Sequence, residues 1–478
     1  GRVGLCAPAG APRQSASTGS RKQKAYGGRL ASVRSRIEHG DIAAAVARRY
    51  RGRQPLTEWS IMRCALKITL IFAAAGLMLT ACSPGAPDAE TKTLKVVYQK
   101  TDSFLALDTL FQAAKQEFEA ANHGVTVALE PIQAKDDDYG TKLALALRSP
   151  ATAPDVFYED TFKVRSDVDA GYLLKLDSHL AGWEDWDTFD DGAKAAGLGD
   201  DGGTYAVPIG TDTRGIWYNK KVLTAAGVSV PWEPRTWQDI LDAARKIKAS
   251  DPTVVPFNMY AGKATGEGTV MQSFYELLYG TDSELYDADA KKWVVGSPGF
   301  TDSLAFLKTL YDEKLAVSPA EALDANVWKK VFGEWLPQGR MGATVEGSYT
   351  PSFWQKGGSY EWAEYGQDMG VTAFPTQNGQ APGGVSMSGG WTLAVGAETK
   401  NPALAFEFLA TALNQKNSLA FNIANSQIAV RKDVAADAGY QAANPFVKDV
   451  SELVAVTHYR PATADYPRIS AAVQEATE

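Results

Sequence analysis

Residues 205–223 read YAVPIGTDTRGIWYNKKVL, and this stretch decides the architecture. Tyr205 to Ile209 is an apolar strand that breaks at Gly210. Thr211, Asp212, Thr213 and Arg214 then form a compact polar set. Past Gly215, Ile216-Trp217-Tyr218 restores the apolar character and leads into a helix-like run through Lys220, Val222 and Leu223. A glycine on each side of an acid and an arginine lets the backbone bend and approach something closely. Apolar strands on both flanks hold the polar set rigidly. This is the pattern of a strand passing from one lobe to another, with polar side chains facing a cleft. Taken alone, the same residues also suit a surface turn closed by a local Asp-Arg pair.

The chain before this stretch alternates. Leu94 to Tyr98 reads as a buried strand; Leu107, Leu110, Phe111, Ala114 and Phe118 recur at helical spacing; Val125, Val127 and Leu129 alternate as a second strand. Strand, helix, strand predicts a parallel or mixed sheet. A helix through Tyr139, Leu143, Leu145 and Leu147 follows, then a strand from Pro154 to Tyr158 that ends in Glu159, Asp160 and Thr161. In open α/β sheets ligands collect at the carboxyl ends of strands, which suits that acidic pair.

The alternation restarts downstream. Thr236 is a helix cap for Trp237, Ile240, Leu241, Ala244 and Ile247, and Val254 to Tyr260 reads as a strand before a glycine-rich turn at 262–268. Helical periods recur at 274–279, 300–311 and 328–335; strands are expected at 341–345, 370–375 and 387–395. Asn401 with Pro402 opens another helix.

Charge is unevenly placed. The chain of 478 residues is net −8, yet residues 1–61 hold 12 basic and three acidic side chains, leaving 36 basic and 53 acidic in residues 62–478. An acidic body argues against nucleic acid, whose phosphates demand Lys and Arg. Met62 opens MRCALKITLIFAAAGLMLTAC, with Arg63 and Lys67 ahead of an apolar run too short to span a bilayer comfortably. Leu79-Thr80-Ala81-Cys82 closes it and resembles the lipobox of bacterial lipoprotein signals, which implies lipidation of Cys82 and a site of action outside the cytoplasm, on the membrane surface. Residues 83–92 then form a tether, and residues 1–61 are expected to be a disordered upstream extension that is not part of the mature protein. Cys6, Cys64 and Cys82 are the three cysteines, so the body beyond Cys82 has no disulfide, no thiol nucleophile and no cysteine-based zinc site. His39, His123, His179 and His458 are isolated, and no metal or cofactor is expected. The chain contains no Gly-x-Ser-x-Gly, Walker or His-Glu-x-x-His motif.

Taken in order, the lipobox, PDVFYEDTF, AVPIGTDTRGIWYNKKVL, MGATVEGSY and SGGWTLAVGA resemble family 1 extracellular solute-binding proteins, the carbohydrate-binding subunits of bacterial ABC importers. The resemblance runs from about Leu94 to the last residue. It implies an α/β, periplasmic-binding-protein-like fold of two lobes joined by crossing hinge strands that close on ligand. One crossing is expected near 210–215, with returns near Val345 and near residues 391–395. That places 93–210 and 345–392 in the first lobe, and 211–344 and 393–478 in the second. The resemblance also implies a further carboxyl-terminal helix, so the second lobe is expected to be truncated after Glu478. A monomer that hands carbohydrate to a membrane permease, without catalysis, is the implied activity.

Sugars are held by planar aromatic rings under the C–H face and by fixed polar groups on the hydroxyls. Trp391 follows Gly389-Gly390, which allow close approach, and sits where the family commonly places a stacking ring. Tyr349 and Trp354 are the next candidates. Asp160 and Asp212 resemble positions that take ligand hydroxyls, with Glu159 close behind; Arg214 either holds Asp212 or donates directly. Glu346 adds a further acid and Arg431 is the candidate from the second lobe. Two other readings remain open on residue types: a glycoside hydrolase with paired carboxylates such as Asp160 and Asp212, and a polyamine receptor using Glu159, Asp160, Asp212 and Glu346.

Overall fold

In the computed structural model, which describes residues 92–463 and 465–478, the strand Lys92–Lys100 buries Leu94, Val96, Val97 and Tyr98. A strand buried on both faces reads as a near-continuous apolar run, because helices cover the sheet above and below. It lies between Val125–Gln133 and Val156–Asp160, parallel to both. Trp391–Val395 and Ala206–Gly210 complete the five-stranded sheet of the first lobe, and Trp391–Val395 is antiparallel to both of its neighbours. The helix Ala106–Ala121 turns Leu107, Leu110, Phe111, Ala114 and Phe118 onto this lobe, as its spacing predicts. Phe408 of the helix Pro402–Ala412 packs against Phe111 and Phe118. Pro402 occupies the first turn of that helix, but the Asn401 side chain makes no capping bond.

The second lobe is built on Arg214–Asn219. That strand is antiparallel to Met369–Thr372 on one side and to Met341–Gly347 on the other, and Val255–Asn258 closes the four-stranded sheet. The helix Trp237–Ser250 starts in a capping box, with Thr236 and Asp239 satisfying each other's backbone N–H groups, and it buries Trp237, Ile240, Ala243, Ala244 and Ile247. The helix Tyr466–Thr477 sets Tyr466 and Val473 into the cluster that holds Val270, Met271 and Phe274. A three-stranded sheet, Phe374–Pro375, Gly384–Ser388 and Thr457–Tyr459, lies close to the hinge.

The crossing at 210–214 falls where the sequence predicts it: Ala206–Gly210 belongs to the first sheet and Arg214–Asn219 to the second. The expected return near Val345 does not occur, because Met341–Gly347 is wholly buried inside the second sheet. The chain comes back at Gly389-Gly390, between Gly384–Ser388 and Trp391–Val395. The lobe boundaries therefore change. Residues 369–372 pair in the second sheet, whereas 393–395 and the helix 402–412 belong to the first lobe. Gly390 makes this return possible. Its φ of +112° is a conformation that L side chains rarely adopt, and a Cβ there would stand 2.9 Å from the Gly210 carbonyl oxygen. The chain touches this hinge again where Thr211 and Ile428 exchange backbone hydrogen bonds of 3.0 and 2.9 Å, and it reaches the second lobe at Phe446, which packs in the core that holds Trp217 and Trp354.

The upstream extension, the export signal, Cys82 and the tether up to residue 91 lie outside the described residues. Among the described residues, no helix is long and apolar enough to cross a membrane.

Candidate functional site

The two sheets present their crossing strands to one cleft of about 1060 Å³, lined from both lobes. Its lining includes Gly389, Gly390 and Trp391 from the return crossing, and Asp212 and Arg214 from the first.

Trp391 is half-buried and pairs through its backbone with Asp160 on one side and Gly210 on the other. Two residues before Asp160 on that strand, Tyr158 lies on the same face, and the two rings stack with centroids 4.3 Å apart and planes 3° from parallel. Tyr139 supports the stack from behind: its hydroxyl donates to the Tyr158 carbonyl at 2.5 Å, and its ring centroid is 6.1 Å from Trp391. An indole braced in this way is a rigid platform for the C–H face of a ring.

Asp212 is buried and accepts from the backbone N–H of Gly389 at 2.7 Å and from the Arg214 guanidinium. It therefore ties the first crossing to the second. Arg214 also donates its backbone N–H to Ser386 at 2.9 Å, and its guanidinium lies 5.8 Å from the centre of the Tyr349 ring. Of the two roles open to Arg214, the structure shows it holding Asp212. Its Nε is buried without a hydrogen-bond partner.

Asp160 meets a residue that the sequence reading missed. Arg460 donates to Asp160 at 2.5 Å and to Glu267 at 3.2 Å, and its guanidinium lies 4.3 Å from the centre of the Phe162 ring. Burial pushes the Asp160 carboxyl up to about 6, against the pull of Arg460. Glu267 accepts in addition from the hydroxyls of Tyr466, at 2.9 Å, and of Ser470. This cluster joins the lobes, since Asp160 ends a first-lobe strand and Glu267 opens a second-lobe helical turn. Lys135 adds a second link by donating to the Ala325 carbonyl at 2.5 Å.

Glu159 lies against the cleft wall, 1% exposed, with no N–H or hydroxyl donor on either carboxylate oxygen and the Asp167 carboxyl beside it. Burial, then the neighbouring Asp167 carboxyl, raises its pKa well above the usual range. Glu346 accepts from the Tyr260 hydroxyl, and burial pushes its carboxyl up to about 7. Tyr349 lines the cleft and accepts from Gln272 at 3.0 Å.

Two candidates lie elsewhere. Trp354 is fully buried among Trp217, Phe332 and Trp362, and its Nε1 donates to the Phe332 carbonyl at 2.9 Å, so it is core and not cleft. The helix Pro351–Trp354 turns it inward, away from Tyr349. Arg431 belongs to the first lobe, where its strand partner is Phe189. Ion pairs at 2.8 Å to Asp185 and 2.7 Å to Asp433 occupy its guanidinium, and it does not line the cleft. Besides Arg460 and Glu267, the sequence reading missed Tyr158, Tyr139, Gln272 and Trp328 as lining residues. Tyr158 stood inside a recognised strand, and Glu267 inside the glycine-rich turn at 262–268; nothing in the sequence near Arg460 marks it.

The fold matches solved structures over most of its length. A solute-binding protein of Thermotoga lettingae TMO, bound with alpha-D-tagatose, superposes with a TM-score of 0.67 at 21% identity, covering 80% of this chain and 92% of that one. Maltose-bound MalE3 of T. maritima gives 0.67 at 20% identity, with 80% and 92% covered. The GacH receptor of Streptomyces glaucescens GLA.O, solved unliganded and with acarbose, gives 0.65 at 24%, with 81% and 94% covered. In sequence, YcjN of Escherichia coli (strain K12), named as an ABC transporter periplasmic-binding protein, is 27% identical over 199 residues, 40% of this chain and 43% of that protein. A binding protein of Brucella abortus (strain 2308) is 27% identical over 242 residues, 50% of this chain and 54% of its own length. The chain thus spans about half the length of the curated relatives it matches. The profile of the bacterial extracellular solute-binding proteins matches residues 101–418, two-thirds of the chain, and the protein belongs to that family.

Proposed function

We propose that the protein is the extracytoplasmic receptor of a bacterial ABC importer, which captures a carbohydrate between its lobes and delivers it to the membrane permease without chemical change. The observation that carries this reading is the Trp391 platform, stacked on Tyr158 in a cleft whose polar groups are fixed by their neighbours. A rigid ring with carboxylate and guanidinium groups close by meets both demands of a sugar, its apolar face and its hydroxyls. The bound tagatose, maltose and acarbose of the structural relatives support the same ligand class. A lipid on Cys82 would hold the monomeric receptor at the membrane, near its permease.

Ligand acts by touching both lobes at once. It shifts the open–closed equilibrium by the contacts it makes only in the closed state. The two alternatives fit less well. Of the four acids a polyamine would use, Asp212 is paired with Arg214 and Asp160 with Arg460, while burial raises the Glu159 and Glu346 carboxyls and so favours their uncharged forms. For a hydrolase, Asp160 and Asp212 are each bound by a guanidinium group, which opposes the protonated form that the general acid of such a pair needs. Titration calorimetry against a carbohydrate panel, with spermidine as control and chromatography of the sugars afterwards, tests the reading. One-to-one binding with intact sugar supports it; released product sugars or binding of spermidine alone would replace it.

A further inference from the structure

The lining of the cleft bears on the length of the ligand, an inference that rests on the sugar reading above. The Trp391–Tyr158 pair accounts for one ring-binding position, on the first lobe. The second lobe brings aromatic side chains of its own to the same cleft, namely Trp328 and Phe353, with Phe332 behind them. Phe332 and Phe353 stack with centroids 4.5 Å apart, and Trp328 lies 6.2 Å from Phe353, tilted by 43°. Trp328 and Phe353 are half-buried, whereas Trp217, Trp335 and Trp354 of the neighbouring core are buried.

Local backbone explains the separation of the two sets. The helix Val327–Lys330 runs into a π-helical turn, Val331–Trp335. Residues four apart share a helix face, so the buried Phe332 backs Trp328 at the cleft wall, with Val331 and Trp335 deeper in the core. Across the cleft the first lobe offers Ala144 and Leu145 from the helix Asp136–Leu147, and Leu145 is 57% exposed. Apolar surface therefore extends beyond Trp391 on both lobes. The cleft volume of about 1060 Å³ stands at the upper end of small-molecule sites, roughly 300–1,000 Å³, and leaves room beyond a single pyranose.

We propose that Trp328 and Phe353 form a second ring-binding position, so that the ligand is an oligosaccharide of at least two rings, one on Trp391 and another against Trp328. Neither aromatic group alone would call for this; their occurrence on opposite lobes of one cleft does.

The test is calorimetry of the protein and of Trp328→Ala against matched series: glucose, maltose and maltotriose, then cellobiose and cellotriose, with mannitol and ribitol as one-unit controls. In at least one series the disaccharide should bind about tenfold or more tighter than its monosaccharide, and Trp328→Ala should bring it back to within about threefold. The thermal midpoint should stay unchanged in the variant. Trp328→Leu, which keeps apolar volume, serves if the alanine variant folds poorly. Equal affinity for one-ring and longer ligands, binding of the one-unit controls alone, or an undiminished gain in the Trp328 variants would overturn the inference while the sugar reading stands. Absence of binding to any saccharide would remove the sugar reading, and this inference with it.

Discussion

Arg460 stands between Asp160 at 2.5 Å and Glu267 at 3.2 Å, and so one guanidinium holds a carboxylate from each lobe. The three side chains are 5, 15 and 17% exposed. Removing one partner of a buried ionic set costs ~3–5 kcal/mol, because the remaining charges keep their desolvation penalty without compensation. Arg460→Met should therefore lower unfolding stability by about that much in urea titrations. The double variant Arg460→Met/Asp160→Asn should recover part of the loss. Equal stability of Arg460→Met and the parent would contradict the arrangement.

The Trp391 indole is expected to contribute to ligand affinity rather than to folding. Trp391→Ala should weaken binding by ~1–3 kcal/mol through lost ring contact. Calorimetric Kd values read this directly, and an unchanged Kd would remove Trp391 from the site.

Trp354 should behave in the opposite way. Trp354→Phe shortens a fully buried side chain and strands the Phe332 carbonyl, at a cost of ~1–3 kcal/mol in stability. Its Kd for sugar should match that of the parent. A selective loss of affinity at unchanged melting temperature would return Trp354 to the cleft.

The two crossing stretches were partly legible in the sequence, and for a physical reason. A glycine-bounded polar set between apolar strands has few structural explanations, and residues 210–214 lie between a strand of the first sheet and a strand of the second. Gly389-Gly390-Trp391 was legible as a close-approach site with a ring beside it. The second return was misplaced at Val345, because a strand buried from end to end looks the same whether it changes lobe or stays in one sheet. Trp354 reads as a cleft candidate beside Tyr349 because only the short helix Pro351–Trp354 decides its direction, and each residue of that turn rotates a side chain by about 100°. Arg431 and Arg460 each follow a short apolar or aromatic stretch, and only their partners, far away in sequence, separate a first-lobe core pair from a link across the cleft.

Two cleft carboxyls predict a pH dependence. Burial raises Asp160 to about 6 and Glu346 to about 7, whereas unfolded carboxyls titrate near ~4. The folded state thus retains protons that the unfolded chain has released, and the stability these groups contribute, fully present below about pH 4, falls as pH rises through 6 and 7. Glu346→Gln, which keeps the neutral form, should flatten the stability profile between about pH 5 and 7 by on the order of 2 kcal/mol. Urea midpoints across that range measure it; a profile as steep as that of the parent would contradict burial as the cause.

The most direct test of the central claim is calorimetric titration of the purified protein with mono-, di- and trisaccharides, repeated on Trp391→Ala, with the sugars recovered and analysed afterwards. The account predicts saturable one-to-one binding of at least one saccharide, weakened in the variant, with the sugar returned intact. Saturable binding of spermidine without any of a saccharide, or saccharide affinity indifferent to Trp391, would contradict it.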